Sequence, residues 1–239
     1  MTERTSEMSP RSKARITGLL YLLAGEAYSF AEFSVRGKLV VPGDAAATAQ
    51  NILTHQSLFR LGFAADLVSA VLFIAVTLLF YNMFKPVNRP LALLAAFFSL
   101  TGCIIGAACS LFHLAPLVML GGERYFSVFK VEQLQALALL FLTLRTLSAS
   151  ICMEFFGCYN LVLGYLIFRS KFLPRILGVF MAIAGLTYQV FLSPPLADHL
   201  FRNLVKPAGV LGELSLILWL LVMGVNSQRW KEQASAAFI

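Results

Sequence analysis

The sequence predicts an all-α fold, a polytopic integral membrane helical bundle with six transmembrane helices and a further helix at the outer interface. Hydrophobic residues make up 59% of the 239-residue chain and charged residues only 13%, which is far from the balance of a soluble domain. Apolar runs near the roughly 20 residues that a bilayer requires recur along the chain. Because the backbone must satisfy its own hydrogen bonds in hydrocarbon, and no alternating strand pattern occurs, these runs are expected to be helices.

The apolar runs divide the chain into one transmembrane domain and two short tails. The domain is predicted at residues 15–225, between an N-terminal tail at 1–14 and a C-terminal tail at 226–239. Short connections leave no room for a soluble module. The six predicted spans are residues 15–35, 57–84, 91–111, 147–168, 173–192 and 207–225.

One segment does not fit this scheme of short spans. Residues 131–170 contain no proline, and no glycine before Gly157. A single helix of that length would measure on the order of 60 Å, about twice the hydrocarbon thickness. Because the segment is apolar on most faces, the sequence favours a separate interfacial or re-entrant helix at 132–144, with a break near residues 145–148.

The basic residues predict that both termini are cytoplasmic. In that orientation the inner segments hold more Lys and Arg than the outer ones, as topology-setting charges do. Arg36 and Lys38 then count as outer-loop residues. The first run has no small-residue cleavage site, and Glu26 interrupts it, so an uncleaved helix is expected rather than a signal peptide. The inner set includes Arg169, Lys171, Arg175 and Arg229.

Ionisable residues within the apolar runs are predicted to share one layer in the outer half of the bundle. At about 1.5 Å per residue, four carboxylic acids lie roughly 9–13 Å below the outer helix ends, and His113 lies near the outer rim. Such residues usually face the bundle interior or a water-filled cavity. The predicted ligand-binding residues are therefore Glu26, Asp66, Glu154, Glu213 and His113.

Two pairs are predicted within this layer. Glu32 and Arg60 match in depth on consecutive antiparallel helices and are expected to form a structural ion pair. Glu26 and Asp66 would form a pair of acids, in which one carboxyl group holds a proton or a cation bridges both. Because Glu26 and Glu32 lie about 240° apart around their helix, only one can point straight into a shared pocket. The deeper Glu26 is the predicted one.

The sequence shows no fingerprint of a cofactor, metal or catalytic site. It has no Glu-x-x-His pair or other metal-ligand spacing, no phosphate-cradling glycine loop, and no Ser-His-Asp arrangement in a suitable context. No metal, cofactor or catalytic residue is predicted. The basic residues form no stripe, so nucleic acid is not an expected partner. The expected partners are membrane lipid and a small-molecule or lipid ligand.

Several strings in order resemble the bacterial family catalogued as "domain of unknown function 4386". The strings are ARITGLLYLL, FAEFSVRGKLVVPGDAAATAQNI, SLFRLGFAADL, KPVN, EQLQALALLFL, LGYLIFRSKFLPRILG and GELSLILWLL, and the similarity extends over about residues 14–225. The resemblance implies a multi-pass protein of the bacterial cytoplasmic (inner) membrane and supplies no activity. Matching positions include Glu32, Arg60, Asp66 and Glu213.

Three classes of function remain open. The first is a binding or transport protein for a small molecule or lipid. The second is a membrane-embedded enzyme acting on a lipid or isoprenoid, with a buried carboxylic acid as proton donor. The third is a structural or assembly subunit without a ligand. The first is favoured, because a polar cavity is the one feature that the residues support.

Overall fold

The computed structural model describes residues 8–122, 126–193, 200 and 204–236, and no strand occurs among them. The first helix, α1 (Pro10–Ser29), continues as a π-helical segment (Phe30–Arg36) and ends in one α-helical turn (Gly37–Leu39). The predicted all-α class is confirmed for this part of the chain. The other helices are α2 (Ala45–Thr54), α3 (Gln56–Phe84), α4 (Arg89–Leu120), α5 (Val131–Arg169), α6 (Arg175–Tyr188) with a 3-10 turn (Gln189–Leu192), α7 (Lys206–Val222) and α8 (Ser227–Ala236).

Four helical stretches of the described chain are long and apolar enough to cross a membrane: α3, α4, α5 and Arg175–Leu192. Helices α7 and α8 form a pair bent by 104° that counts as a fifth candidate if it is one broken span. The predicted number of six is not confirmed. Helix α1 is not one of these candidate spans because it carries the charged residues Lys13, Arg15 and Glu26.

The surface of these helices is strongly apolar. Val71, Ile104 and Leu111 each expose about two thirds of their area (67%, 66% and 66%), and many other large aliphatic side chains are similarly open. Contiguous apolar surface of this kind is unfavourable in water and suits contact with hydrocarbon. The long apolar helices and their exposed aliphatic faces together indicate a multi-pass membrane protein.

The expected break near residues 145–148 is wrong, because α5 runs without interruption from Val131 to Arg169. The separate interfacial helix at 132–144 therefore does not exist. The break was expected because the segment is longer than one span and apolar on most faces; Arg145, which lies at the expected break, is buried and bound to two carboxylates. Helix α2 was not predicted; the side chain of Asp44 caps its N-terminus by accepting a 2.8 Å hydrogen bond from Ala47 N.

The chain packs as two compact units. The first unit consists of Met1–Leu22, Phe73–Gly102 and Met153–Ile239, and the second consists of Leu23–Leu72 and Cys103–Cys152.

Glycines bring α5 and α6 into close contact within the first unit. A Cβ atom added to Gly164 would lie 2.7 Å from the carbonyl oxygen of Gly178, and one added to Gly178 would lie 2.6 Å from that of Gly164. Gly185 and Gly157 repeat this approach seven residues along, where a Cβ on Gly185 would lie 2.8 Å from the carbonyl of Gly157. Small residues at such crossings let two backbones approach within a membrane.

Two arginines of α1 bind the C-terminal end of α7, also in the first unit. Arg11 Nε donates to the carbonyl of Met223 at 3.2 Å, and Arg15 donates through a terminal nitrogen to that of Val222 at 2.8 Å. These carbonyls have no partner within their own helix, and cations are favourable at that end of a helix dipole.

The second unit has its own apolar core beside the π-helical segment. Gly62 of α3 lies against Val35, and a Cβ at Gly62 would be 2.9 Å from Val35 Cγ1. This contact holds α3 close to the π-helical segment one turn before Asp66. The buried members of this core are Val35, Leu39, Ile52, Phe59, Leu117 and Leu142.

Candidate functional site

The π-helical segment positions two ionisable side chains on one side of the helix. A π-helix winds with one more residue per turn than an α-helix, and such segments occur frequently at functional sites. Here Arg36 reaches back to Glu32, donating from Nε and from NH2 to the same carboxylate oxygen, Oε2, at 3.2 and 3.0 Å. The helix continues to Leu39, so Arg36 belongs to the helix and not to the outer loop, where the sequence had placed it.

Arg36 also forms a two-pronged ion pair with Asp66 of α3. NH1 lies 2.7 Å from Oδ2 and NH2 lies 3.1 Å from Oδ1, so both carboxylate oxygens accept a hydrogen bond. Both side chains are only 6% exposed. Bidentate arginine–carboxylate pairs combine charge with fixed geometry, and they are among the strong polar contacts in proteins.

A second arginine, Arg145 of α5, completes the charge balance. It donates to Glu32 Oε2 at 2.7 Å and lies 3.6 Å from Asp66 Oδ1. Two guanidinium groups thus face two carboxylates, and their formal charges cancel. Burying a charge without a partner is costly, so this balance explains how the group is tolerated between apolar helices.

His113 of α4 contacts Arg36 and is fully buried. Its Nε2 lies 2.8 Å from the carbonyl oxygen of Phe59, which can only accept, so Nε2 carries the proton. Its Nδ1 lies 3.4 Å from Arg36 NH1, which can only donate, so Nδ1 is the acceptor. These bonds assign a neutral imidazole, which also stacks on the Phe59 ring at 4.0 Å between centroids. We call Glu32, Arg36, Asp66, His113 and Arg145 the charged cluster.

Glu32 is the one member of the charged cluster whose side chain is partly exposed. The side chains of Arg36, Asp66 and Arg145 are 6–7% exposed, whereas that of Glu32 is 33% exposed. Both arginines donate to Oε2 of Glu32, and Oε1 accepts no hydrogen bond from the residues that the structure describes. Glu32 is therefore the most accessible side chain of the cluster, and its Oε1 is left without a hydrogen bond among the described residues.

The structure corrects both predicted pairs. Glu32 binds Arg36 and Arg145, while Arg60 is exposed and makes no ion pair with Glu32. Glu26 is exposed and is not the acid that turns inward; Glu32 takes that place. Asp66 faces two guanidinium groups instead of a second acid, because the arginine assigned to the loop belongs to the helix.

The other predicted residues lie in the first unit. Glu213 of α7 accepts at Oε1 from Asn160 Nδ2 at 3.1 Å and from the Tyr188 hydroxyl at 3.0 Å. No cation pairs with it among the described side chains. Glu154 of α5 is half-buried and takes no part in these bonds. The carboxylic acids were predicted to share one layer, but Asp66 and Glu213 belong to separate hydrogen-bonded groups.

Arg36 and Arg145 were not among the site residues predicted from the sequence. One signal was present for Arg36, since Glu32 precedes it by four residues, a spacing at which side chains meet on a helix. The predicted first span ended at residue 35, which left Arg36 in a loop, but residues 30–39 are helical here. Nothing in the sequence indicates that residues 30–36 wind as a π-helix.

The chain was compared with known proteins and families. The model of one family, described as "Domain of unknown function (DUF4386)", matches residues 16–224, a range that contains the whole charged cluster. No curated protein and no solved structure matched the chain. The match extends over most of the sequence and agrees with the resemblance carried by the quoted strings. This chain therefore belongs to the family described as a domain of unknown function, DUF4386.

Proposed function

We propose that the protein is a multi-pass protein of the bacterial cytoplasmic membrane that binds or transports a small molecule or lipid. The four to five apolar helices support the membrane assignment. Adding α1 and counting α7 as a span gives six spans and places both termini on one side. The excess of basic residues in the predicted inner segments favours the cytoplasm for that side.

The observation that carries the binding proposal is the partly exposed side chain of Glu32, whose Oε1 has no hydrogen bond among the described residues. A purely structural ion-pair network gains no stability when one carboxylate side chain is one third exposed. Buried polar groups are stabilised when all their hydrogen bonds are made. In this cluster, the arginines fix Glu32 through Oε2 and leave Oε1 unbonded. A partly exposed acceptor that two arginines hold in place is suited to accept a hydrogen bond from a ligand.

The charge balance indicates the class of ligand. The cluster is neutral as a whole, and its most accessible side chain, Glu32, offers an acceptor. A hydroxyl or amine group can donate to it, whereas an anion would meet the Glu32 carboxylate first. The proposed ligand is therefore an amphiphilic alcohol or amine whose apolar part contacts the helices. The roles predicted for Glu154 and Glu213 in a polar site remain predictions.

A second candidate function, a structural subunit without a ligand, is favoured by a different observation. Every charge in the cluster has a partner of opposite sign. Such pairing is what ion pairs need if their role is to fix the packing of one helix against another. The enzyme alternative has less support. Asp66 accepts at both oxygens from Arg36, so it is poorly placed to donate a proton.

The test is to identify what co-purifies with the protein. Glu32→Met removes the acceptor while retaining the volume, and Glu26→Met changes an exposed glutamate on the same continuous helix. Each variant is purified in dodecyl maltoside, and the small molecules it carries are identified by mass spectrometry after denaturation. We expect a compound bearing a hydroxyl or amine to be enriched with the parent and with Glu26→Met, and to be lost in Glu32→Met.

The two candidate functions give different results in this experiment. If the same compounds accompany all three proteins, while Glu32→Met melts at a lower temperature, the cluster is structural and the binding proposal fails. Size-exclusion chromatography of each variant verifies that the comparison is made on folded protein.

A further inference from the structure

A basic cleft lies at one end of the first unit, where α5 ends, α6 begins and α8 passes nearby. Its volume is about 930 Å³. Apolar side chains such as Phe168 and Leu173 form part of its wall. The charged residues that line it are Arg169, Lys171, Arg175, Arg229 and Glu232.

Among the described residues, the four cations of the cleft have no ion-pair partner. All four are exposed, and none forms an ion pair with any residue that the structure describes. The guanidinium of Arg175 lies over the ring of Phe168, 5.5 Å from its centroid. Arg175 is also the first residue of α6, so the positive end of that helix dipole adds to the field. The cleft therefore carries four cations against one carboxylate, Glu232, and this excess of positive charge attracts an anion.

The cleft has a fixed framework. The indole Nε1 of Trp230 in α8 donates to the carbonyl of Met83 at 3.0 Å. The backbone N–H of Lys171 donates to the side chain of Gln233, also in α8, at 3.0 Å. Asn226 N donates to the carbonyl of Phe172 at 3.2 Å. These bonds tie α8 to the loop between α5 and α6, so the cations are held around one space.

An apolar stripe begins beside the cleft and continues along α6. It consists of Ile176, Val179, Ile183 and Leu186, which are 38–62% exposed and recur at helical spacing. The first of them follows Arg175 directly. A molecule with an anionic head in the cleft can therefore lay an acyl chain along this stripe. Trp230 and the bend of 104° between α7 and α8 fit an interfacial position for α8.

We propose that this cleft binds the phosphate headgroup of an anionic phospholipid from the adjacent leaflet. Basic pockets between membrane helices are known to receive such headgroups, with each nearby cation strengthening the attraction. The cations of the cleft belong to segments predicted to be cytoplasmic. This site is separate from the charged cluster and does not depend on the function proposed for it.

The test measures lipid affinity by native mass spectrometry of the full chain in detergent, with phosphatidylglycerol and phosphatidylcholine as probes. We expect the parent to prefer phosphatidylglycerol by about tenfold or more. The double variant Lys171→Gln/Arg175→Gln should weaken phosphatidylglycerol binding roughly 30-fold, since it removes two cations, and leave phosphatidylcholine unchanged. The matched control, Lys13→Gln/Arg60→Gln, removes two exposed cations that do not line the cleft and should behave like the parent.

Two further measurements use the parent protein alone. One tests whether binding depends on charge, and the other tests whether the site prefers a lipid to free phosphate. In the parent, 0.5 M NaCl should reduce phosphatidylglycerol binding, because exposed charges are screened by salt. Equimolar inorganic phosphate should not displace phosphatidylglycerol, because it cannot use the apolar stripe. Equal binding of both lipids, undiminished binding by the cleft variant, insensitivity to salt, or displacement by inorganic phosphate would each overturn the proposal.

Discussion

The two units bury carboxyl groups in different ways. In the second unit, Asp66 is held by guanidinium groups and accepts hydrogen bonds at both oxygens. In the first unit, Glu213 is held by an amide and a phenol, Asn160 and Tyr188, which both donate to a single oxygen. The first arrangement needs a negative charge to balance its cations, whereas the second needs only one well-placed acceptor. Two carboxylic acids within apolar helices therefore have different chemical requirements.

The difference has a consequence for stability. Removing one partner of a buried ion pair leaves the other charge uncompensated, while removing a neutral hydrogen bond costs much less. We therefore expect substitutions in the charged cluster to have larger effects than matched substitutions around Glu213.

The largest effect is expected for Arg36→Met. This change leaves Asp66 without its bidentate partner and Glu32 with Arg145 alone, and we expect it to lower the free energy of unfolding by about 3–5 kcal/mol. Thermal unfolding in dodecyl maltoside measures the loss. Arg60→Met is the control, because Arg60 is exposed and should change the melting temperature little. Equal melting of the two variants would show that Arg36 is not the central cation.

A smaller loss is expected when both partners are replaced together. In Arg36→Met/Asp66→Leu no unpaired charge remains at that contact, and apolar replacements of buried ion pairs are often well tolerated. The double variant should be more stable than Arg36→Met alone. A double-mutant cycle with Asp66→Leu measures the coupling. Additive losses would contradict direct pairing of these two residues.

The smallest of these losses is expected for Tyr188→Phe in the first unit. It removes the 3.0 Å hydrogen bond that Tyr188 donates to Glu213 and keeps the ring, so about 0.5–1.5 kcal/mol should be lost. The same thermal measurement detects it. A loss as large as that of Arg36→Met would mean that Tyr188 does more than donate one hydrogen bond.

Much of the architecture was predictable, because it depends on composition and on the length of apolar runs. The predicted spans at 57–84 and 173–192 nearly coincide with helical stretches of the structure. The continuity of α5 was missed, since a helix of that length exceeds the hydrocarbon thickness and its apolar faces were not expected to project into water.

The composition of the charged cluster was harder to predict than its existence. Glu32 and Asp66 were both singled out, but their cations were not, because a one-dimensional count assigned Arg36 to a loop. Glu26 was chosen over Glu32 because it was expected to lie deeper in the bundle, but Glu26 is exposed. The contact of Gly62 with Val35, which places α3 against the π-helical segment, joins distant parts of the chain that a single sequence does not bring together.

The most direct test compares the amide substitutions Asp66→Asn and Glu213→Gln in parallel thermal unfolding experiments. Asparagine offers one acceptor oxygen and sets amide donors against the guanidinium of Arg36, so Asp66→Asn should clearly lower the melting temperature. Glutamine can accept both existing hydrogen bonds through its single oxygen, so Glu213→Gln should change the free energy of unfolding by less than about 1 kcal/mol. Equal destabilisation by the two substitutions would contradict the distinction between a charge-balanced cluster and a neutral hydrogen-bonded one.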